Sequence, residues 1–184
     1  MTRALLPLLL LTHADAASVD ILPRLYADGV FRSATPLPTT QLPRGATGVQ
    51  LLPGGYGGEW FLTLGGKGAA VGAQLTYVGS SVSLAQNGAA VAKLSGRMGA
   101  TVASACFAVG TDRLSALRAY VEEKVRAGGS ADVNTERRFG TVRVQVLSKH
   151  TAATDTQPAG HAEVDVILTR LSGPGGAATP TCRV

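Results

Sequence analysis

The chain has 184 residues, of which 45% are hydrophobic, 5% aromatic and 16% charged, with a formal net charge of +5. That apolar content excludes a disordered chain and suffices for one domain with a core. The cations are scattered, Arg137-Arg138 is the longest basic run, and no Lys/Arg cluster is interleaved with aromatics; this speaks against nucleic acid, and the charge reads first as serving solubility, with an anionic surface as the partner a basic chain can attract.

Met1-Thr2-Arg3 opens the chain with positive charge, an apolar run follows over residues 4–11, and Ala14-Asp15-Ala16 is an A-x-A site. This pattern predicts a signal peptide over residues 1–16 and a mature start near Ala17. The run is shorter than the roughly 20 apolar residues a spanning helix needs. No later segment approaches that length, so the mature chain is expected to have no transmembrane segment. The expected address is the periplasm, the cell surface or the medium.

Residues 17–48 read as an extended, Pro-rich N-terminal arm, since Pro23, Pro36, Pro38 and Pro43 cannot donate ladder hydrogen bonds. The globular domain is expected over residues 49–184. Its first half reads as successive strands over residues 49–52, 59–64 (with Trp60), 69–78, 81–86, 89–94 and 99–109. Asn87-Gly88 suits a tight type I′ turn, which places Leu84 opposite Val91 and Val82 opposite Lys93. Gly65-Gly66-Lys67-Gly68 reads as a hairpin turn.

The period then changes. Leu114, Leu117, Val121 and Val125 form one apolar stripe, predicting an amphipathic helix from 112 to 127 with Thr111 or Asp112 as cap and Gly128 just past its end. Arg118 with Glu122, and Glu122 with Arg126, stand at i,i+4 spacing. Residues 139–148 and 162–171 alternate cleanly, with Val142, Val144 and Val146 on one face and Val164, Val166 and Leu168 likewise. Such strands belong to an antiparallel sheet with one buried face. Pairing Arg143 opposite Asp165 matches charge on the other face. The fold class is therefore α+β: a β-rich single domain, an antiparallel sheet or sandwich with one amphipathic helix.

The only cysteines are Cys106 and Cys182. In an exported chain an even pair predicts a disulfide, which here staples the C-terminal tail to the core. His150, Asp155, His161 and Glu163 fall within fourteen residues, and His150, His161 and Glu163 are the candidate metal ligands. Their spacing matches no established pattern, and two solvated histidines flanking a hairpin connection explain them better than a metal site does. His161-Ala162-Glu163 has the H-x-E spacing of zinc nucleobase deaminases. The P-C-x-x-C partner is missing, because Pro180-Thr181-Cys182 offers one cysteine near the end of the chain. Cys106 as a nucleophile with either histidine requires an exposed thiol, whereas Ala105 and Phe107 beside it argue for burial. No cofactor motif occurs.

These residues point to an exported, non-catalytic cell-envelope or extracellular binding or structural module, engaging an envelope protein or an anionic surface. Strand addition through the Pro-rich arm and the sheet edges is one route. An exported hydrolase assembled in three dimensions and a self-assembling surface subunit are the alternatives.

Overall fold

Period-two alternation in the second half of the chain and in residues 47–79 generates a sheet with one apolar face, and two helices cover that face. The computed structural model describes residues 19–27, 29–65, 72–154, 160–171 and 182–184. The expected signal peptide, the glycine turn beyond Gly65, Asp155 and the tail 172–181 lie outside the described residues. The elements in chain order are β1 (Val19–Asp20), α1 (Leu22–Tyr26), β2 (Ser33–Pro36), a 3-10 turn (Thr39–Gln41), β3 (Thr47–Gly55), β4 (Gly58–Gly65), β5 (Gly72–Gly79), α2 (Ser81–Phe107), α3 (Thr111–Ala127), β6 (Val133–Phe139), β7 (Val142–Thr151), β8 (His161–Arg170) and β9 (Cys182–Arg183).

Among the described residues, seven strands form one sheet in the order β2-β3-β4-β5-β8-β7-β6, with every neighbouring pair antiparallel. The chain lays down β2 to β5 as a meander, crosses the sheet through the α2–α3 hairpin, and returns from the far edge so that β8 pairs with β5. The α+β class with an antiparallel sheet is thus what the structure has. The expected helix at 112–127 is α3, with Leu117, Tyr120, Val121 and Val125 buried. Its cap differs from expectation: Gly110 occupies the N-cap position with no side-chain hydrogen bond, while Gly128 closes the other end.

The largest correction concerns residues 81–109. They form no hairpin at Asn87-Gly88 and no strand at 99–109, but a second, longer helix of 27 residues. Ser80 caps it, its Oγ accepting from Ser83 N at 3.0 Å. Leu84, Val91, Leu94, Met98, Val102 and Ala105 recur at helical spacing and are all buried. Asn87 is satisfied inside the helix by donating from Nδ2 to Ser83 O at 3.1 Å. The helix ends where Ala108 turns left-handed (φ 51°) and Val109 N donates back to Ala103 O at 3.1 Å. The short apolar runs between small residues were segments of one stripe, diluted by Gly96 and Gly99, where α3 packs close.

The type I′ turn lies elsewhere, at the β3–β4 hairpin. Gly55 pairs with Gly58, and the two central residues Tyr56 (φ 59°) and Gly57 (φ 76°) both have positive φ. Trp60 Nε1 donates to Gly55 O at 3.0 Å and Tyr77 OH to Tyr56 O at 3.1 Å, which hold the turn from beneath.

Residues 19–48, expected as an extended arm, carry β1, α1 and the edge strand β2, and Ile21, Leu25 and Phe31 are buried in the core. Phe31 meets Trp60 edge-on at 6.0 Å, and Trp60 meets Tyr77 at 5.2 Å. The prolines exclude ladder donors but not an anchored segment, and three large apolar side chains supply the anchor. The expected disulfide is present: Cys106 at the end of α2 is bonded to Cys182, 76 residues away, with Cα atoms 5.1 Å apart. It fixes β9, which pairs parallel with β1 and so joins both ends of the described chain.

Candidate functional site

Alternation assigns each strand residue to one of two faces. Trp60, Leu62, Leu75, Tyr77, Val144, Val146, Val164, Val166 and Leu168 pack under the helices and are buried. Phe61, Thr63, Gln74, Thr76, Gln145, Leu147, Asp165 and Ile167 occupy the opposite face, away from α2 and α3 and bordered at one end by the segment from Leu37 to Ala46. Ladder register sets them in two rows. Phe61, Thr76, Asp165 and Leu147 lie opposite one another across four strands; Thr63, Gln74, Ile167 and Gln145 form the next row. Phe61, Leu147 and Ile167 are half-buried.

Asp165 is the unusual member. On this uncovered face it is only 6% exposed. Thr76 Oγ1 donates to Asp165 Oδ1 at 2.6 Å, and Gln74 Nε2 donates to the same oxygen at 2.9 Å. Among the described residues Oδ2 has no donor, although a carboxylate accepts about four bonds. The expected opposition of Arg143 and Asp165 is overturned: Arg143 pairs with Thr169, and Asp165 pairs with Leu147. The faces are as expected and the register is shifted by four residues. A long connection joins β7 to β8, so the fit of Val144, Val146, Val166 and Leu168 under the helices sets the register, not a tight turn.

A groove of about 360 Å³ opens beside this row, floored by Thr63, Gln74, Ile167 and Thr169 and walled by Pro43, Arg44 and Ala46. Gln74 belongs to both features, because its Nε2 reaches Thr76 at 3.2 Å as well as Asp165. On the covered side, burial raises the Tyr77 hydroxyl above the ordinary tyrosine value of 10.0.

The candidate metal ligands are divided by the sheet. His161 and Glu163 project on the uncovered face with Asp165, whereas His150 pairs with Ala162 and projects on the helix side. There His150 Nε2 lies 2.6 Å from Gly128 O, a carbonyl that only accepts, so this nitrogen carries the proton. Ser148 Oγ donates to the same carbonyl at 2.8 Å, and His150 N donates to Asp132 Oδ1 at 2.9 Å. His150 thus ties the end of α3 to β7. Among the described residues no group of three or more His, Cys, Asp or Glu is placed to hold a metal. Cys106, 4% exposed and disulfide-bonded, has no thiol to act as nucleophile.

Residue types alone did not single out Phe61, Gln74, Thr76 or Asp165. Their one signal was membership of the non-core phase of three alternating strands, and it becomes a site only when β8 is placed beside β5. No protein-family model, curated protein or solved structure matches this chain.

Proposed function

We propose that the protein is an exported, non-catalytic binding module of the cell envelope or extracellular space, and that it seats a carbohydrate chain on the uncovered face of its sheet. The observation that carries this reading is Asp165: a carboxylate buried to 6% exposure, with both hydrogen bonds on one oxygen and the other oxygen lacking a donor among the described residues. A polyol supplies hydroxyl donors to such an oxygen. The half-buried Phe61 ring offers an apolar platform two strands away, and Thr63, Gln74 and Thr169 offer polar groups along the groove. An apolar surface with a few fixed polar groups is the usual composition of a ligand site. The Cys106–Cys182 disulfide supports an oxidising compartment. No described helix is long and apolar enough to cross a membrane.

The test is retention of the purified protein on peptidoglycan sacculi and on immobilised chitooligosaccharides. Asp165→Asn should weaken retention about tenfold or more, the scale of one hydrogen bond to a charged group, and Phe61→Ala should also weaken it, through loss of the apolar platform. A native protein that neither matrix retains refutes the reading. Export is tested by the N-terminal sequence of protein recovered from the envelope and the medium: a start near Ala17 is expected, and an intact Met1 start there refutes it.

A further inference from the structure

We propose that the turn between β6 and β7 is a docking corner for the phosphate headgroups of an anionic lipid bilayer. Arginines far apart in sequence meet there. Arg138 donates from Nε to Gly140 O at 2.7 Å, and the Arg113 guanidinium, from the start of α3, lies against Gly140. Arg143 stands directly opposite Arg138 in the ladder, and Arg170 of β8 stands opposite Val142. Arg137 lies over the Phe139 ring at 5.5 Å. Four elements thus deliver five arginines to one corner.

The carboxylates nearby do not balance them. Asp112 reaches Arg113 at 3.5 Å and Glu136 reaches Arg143 at only 3.8 Å. Glu123 is taken by Lys124 at 2.6 Å. Among these described residues, six cations against three carboxylates leave a formal surplus of three. Like charges directly opposite across a ladder are destabilising unless an anion bridges them, and Arg138 with Arg143 is such a pair. Guanidinium groups fit phosphodiester oxygens in bidentate geometry. The shape selects a surface as the occupant. Arg138 and Arg143 project on the uncovered face and Arg137 and Arg170 on the helix side, at the sheet end that carries the turn at Gly140. Cations divided between the two faces of one sheet end do not converge on a single small anion, whereas an extended anionic surface meets several of them at once.

Co-sedimentation with phosphatidylcholine vesicles, with and without phosphatidylglycerol, tests this. Binding should require phosphatidylglycerol and weaken as salt is raised. The double variant Arg138→Gln/Arg143→Gln should bind about thirtyfold more weakly, from a factor of about five for each cation near an anionic surface. Because it removes an opposed like-charge pair, its denaturation midpoint should not fall. Lys93→Gln, on α2 away from the corner, should bind almost as the native chain does. Phe61→Ala should leave vesicle binding unchanged, so this proposal and the carbohydrate reading fail separately. Equal binding to both vesicles, or a double variant no weaker than Lys93→Gln, overturns the proposal. Displacement by glycerol phosphate at constant ionic strength replaces it with a free phosphate-ester site. A preference for duplex DNA at matched phosphate overturns the lipid assignment.

Discussion

Gly88→Ala separates two structures for residues 81–94 by the sign of its effect. In a type I′ turn Gly88 needs positive φ, and alanine there is strained by roughly 1–2 kcal/mol. In α2 the residue is interior helix, its φ is not positive, and a methyl group added at its Cα meets nothing within 4 Å. Alanine is preferred over glycine in a helix interior by about 1 kcal/mol, through backbone entropy and shielding of the helix from water. The helix therefore predicts stabilisation of about 0.5–1 kcal/mol, and the two structures differ by about 2 kcal/mol in expectation. Urea denaturation followed by Trp60 fluorescence reads this directly: the midpoint should rise with no change in slope. On heating, the same change should raise the Tm by about 1–4 °C for a chain of this size. A lowered midpoint at unchanged slope would sink the helical assignment of this segment.

Gly96→Ala, one helical stretch further on, should act oppositely. Its methyl group would stand 2.5 Å from Glu122 Cγ and 3.0 Å from Arg118 O. The α3 backbone cannot yield cheaply, so a loss of about 1–3 kcal/mol is expected in the same urea assay; a gain would show that α2 and α3 pack less closely. Cys106→Ala/Cys182→Ala removes a link closing 76 residues, and the chain-entropy relation gives about 4.5 kcal/mol. A loss under about 1 kcal/mol would reject that entropic account. Tyr77 supplies a pH test. Burial raises its pKa above the ordinary 10.0. Its contribution to stability is therefore complete below 10.0 and is lost as the pH rises through the folded-state value, because the unfolded chain ionises first. Tyr77→Phe should flatten the alkaline decline in denaturation midpoint; an identical decline in both proteins would assign it to another group.

Local pattern was informative where one face is core and the other is not. The strands β4, β7 and β8 and the helix α3 each carry a single clean period, and their apolar phases are the buried ones. The pattern was misleading in α2, where alanines, glycines and serines separate the apolar residues into runs short enough to resemble strands. Small residues there serve close approach of α3, a purpose invisible without the partner helix. The edge strands β2 and β6 lack a strong period because little of either strand is buried on any face. Core residues Ile21, Leu25 and Phe31 were masked by the prolines and glycines around them.

The arginine corner and the Asp165 row share one cause of concealment. Their members are 57 residues apart from Arg113 to Arg170, and 104 apart from Phe61 to Asp165. From its sequence alone the chain is readable as β-rich, as having a covered and an uncovered strand phase, and as carrying one paired set of cysteines. Those properties follow from side-chain period and residue type, which act within a few residues. Tertiary structure alone decided that β8 lies between β5 and β7, that Asp165 faces Thr76 and Gln74, and that Arg113 and Arg138 both lie against Gly140. The physical reason is that register in a sheet joined by long crossovers is set by how the apolar faces fit beneath the helices, and that fit is a property of the whole core.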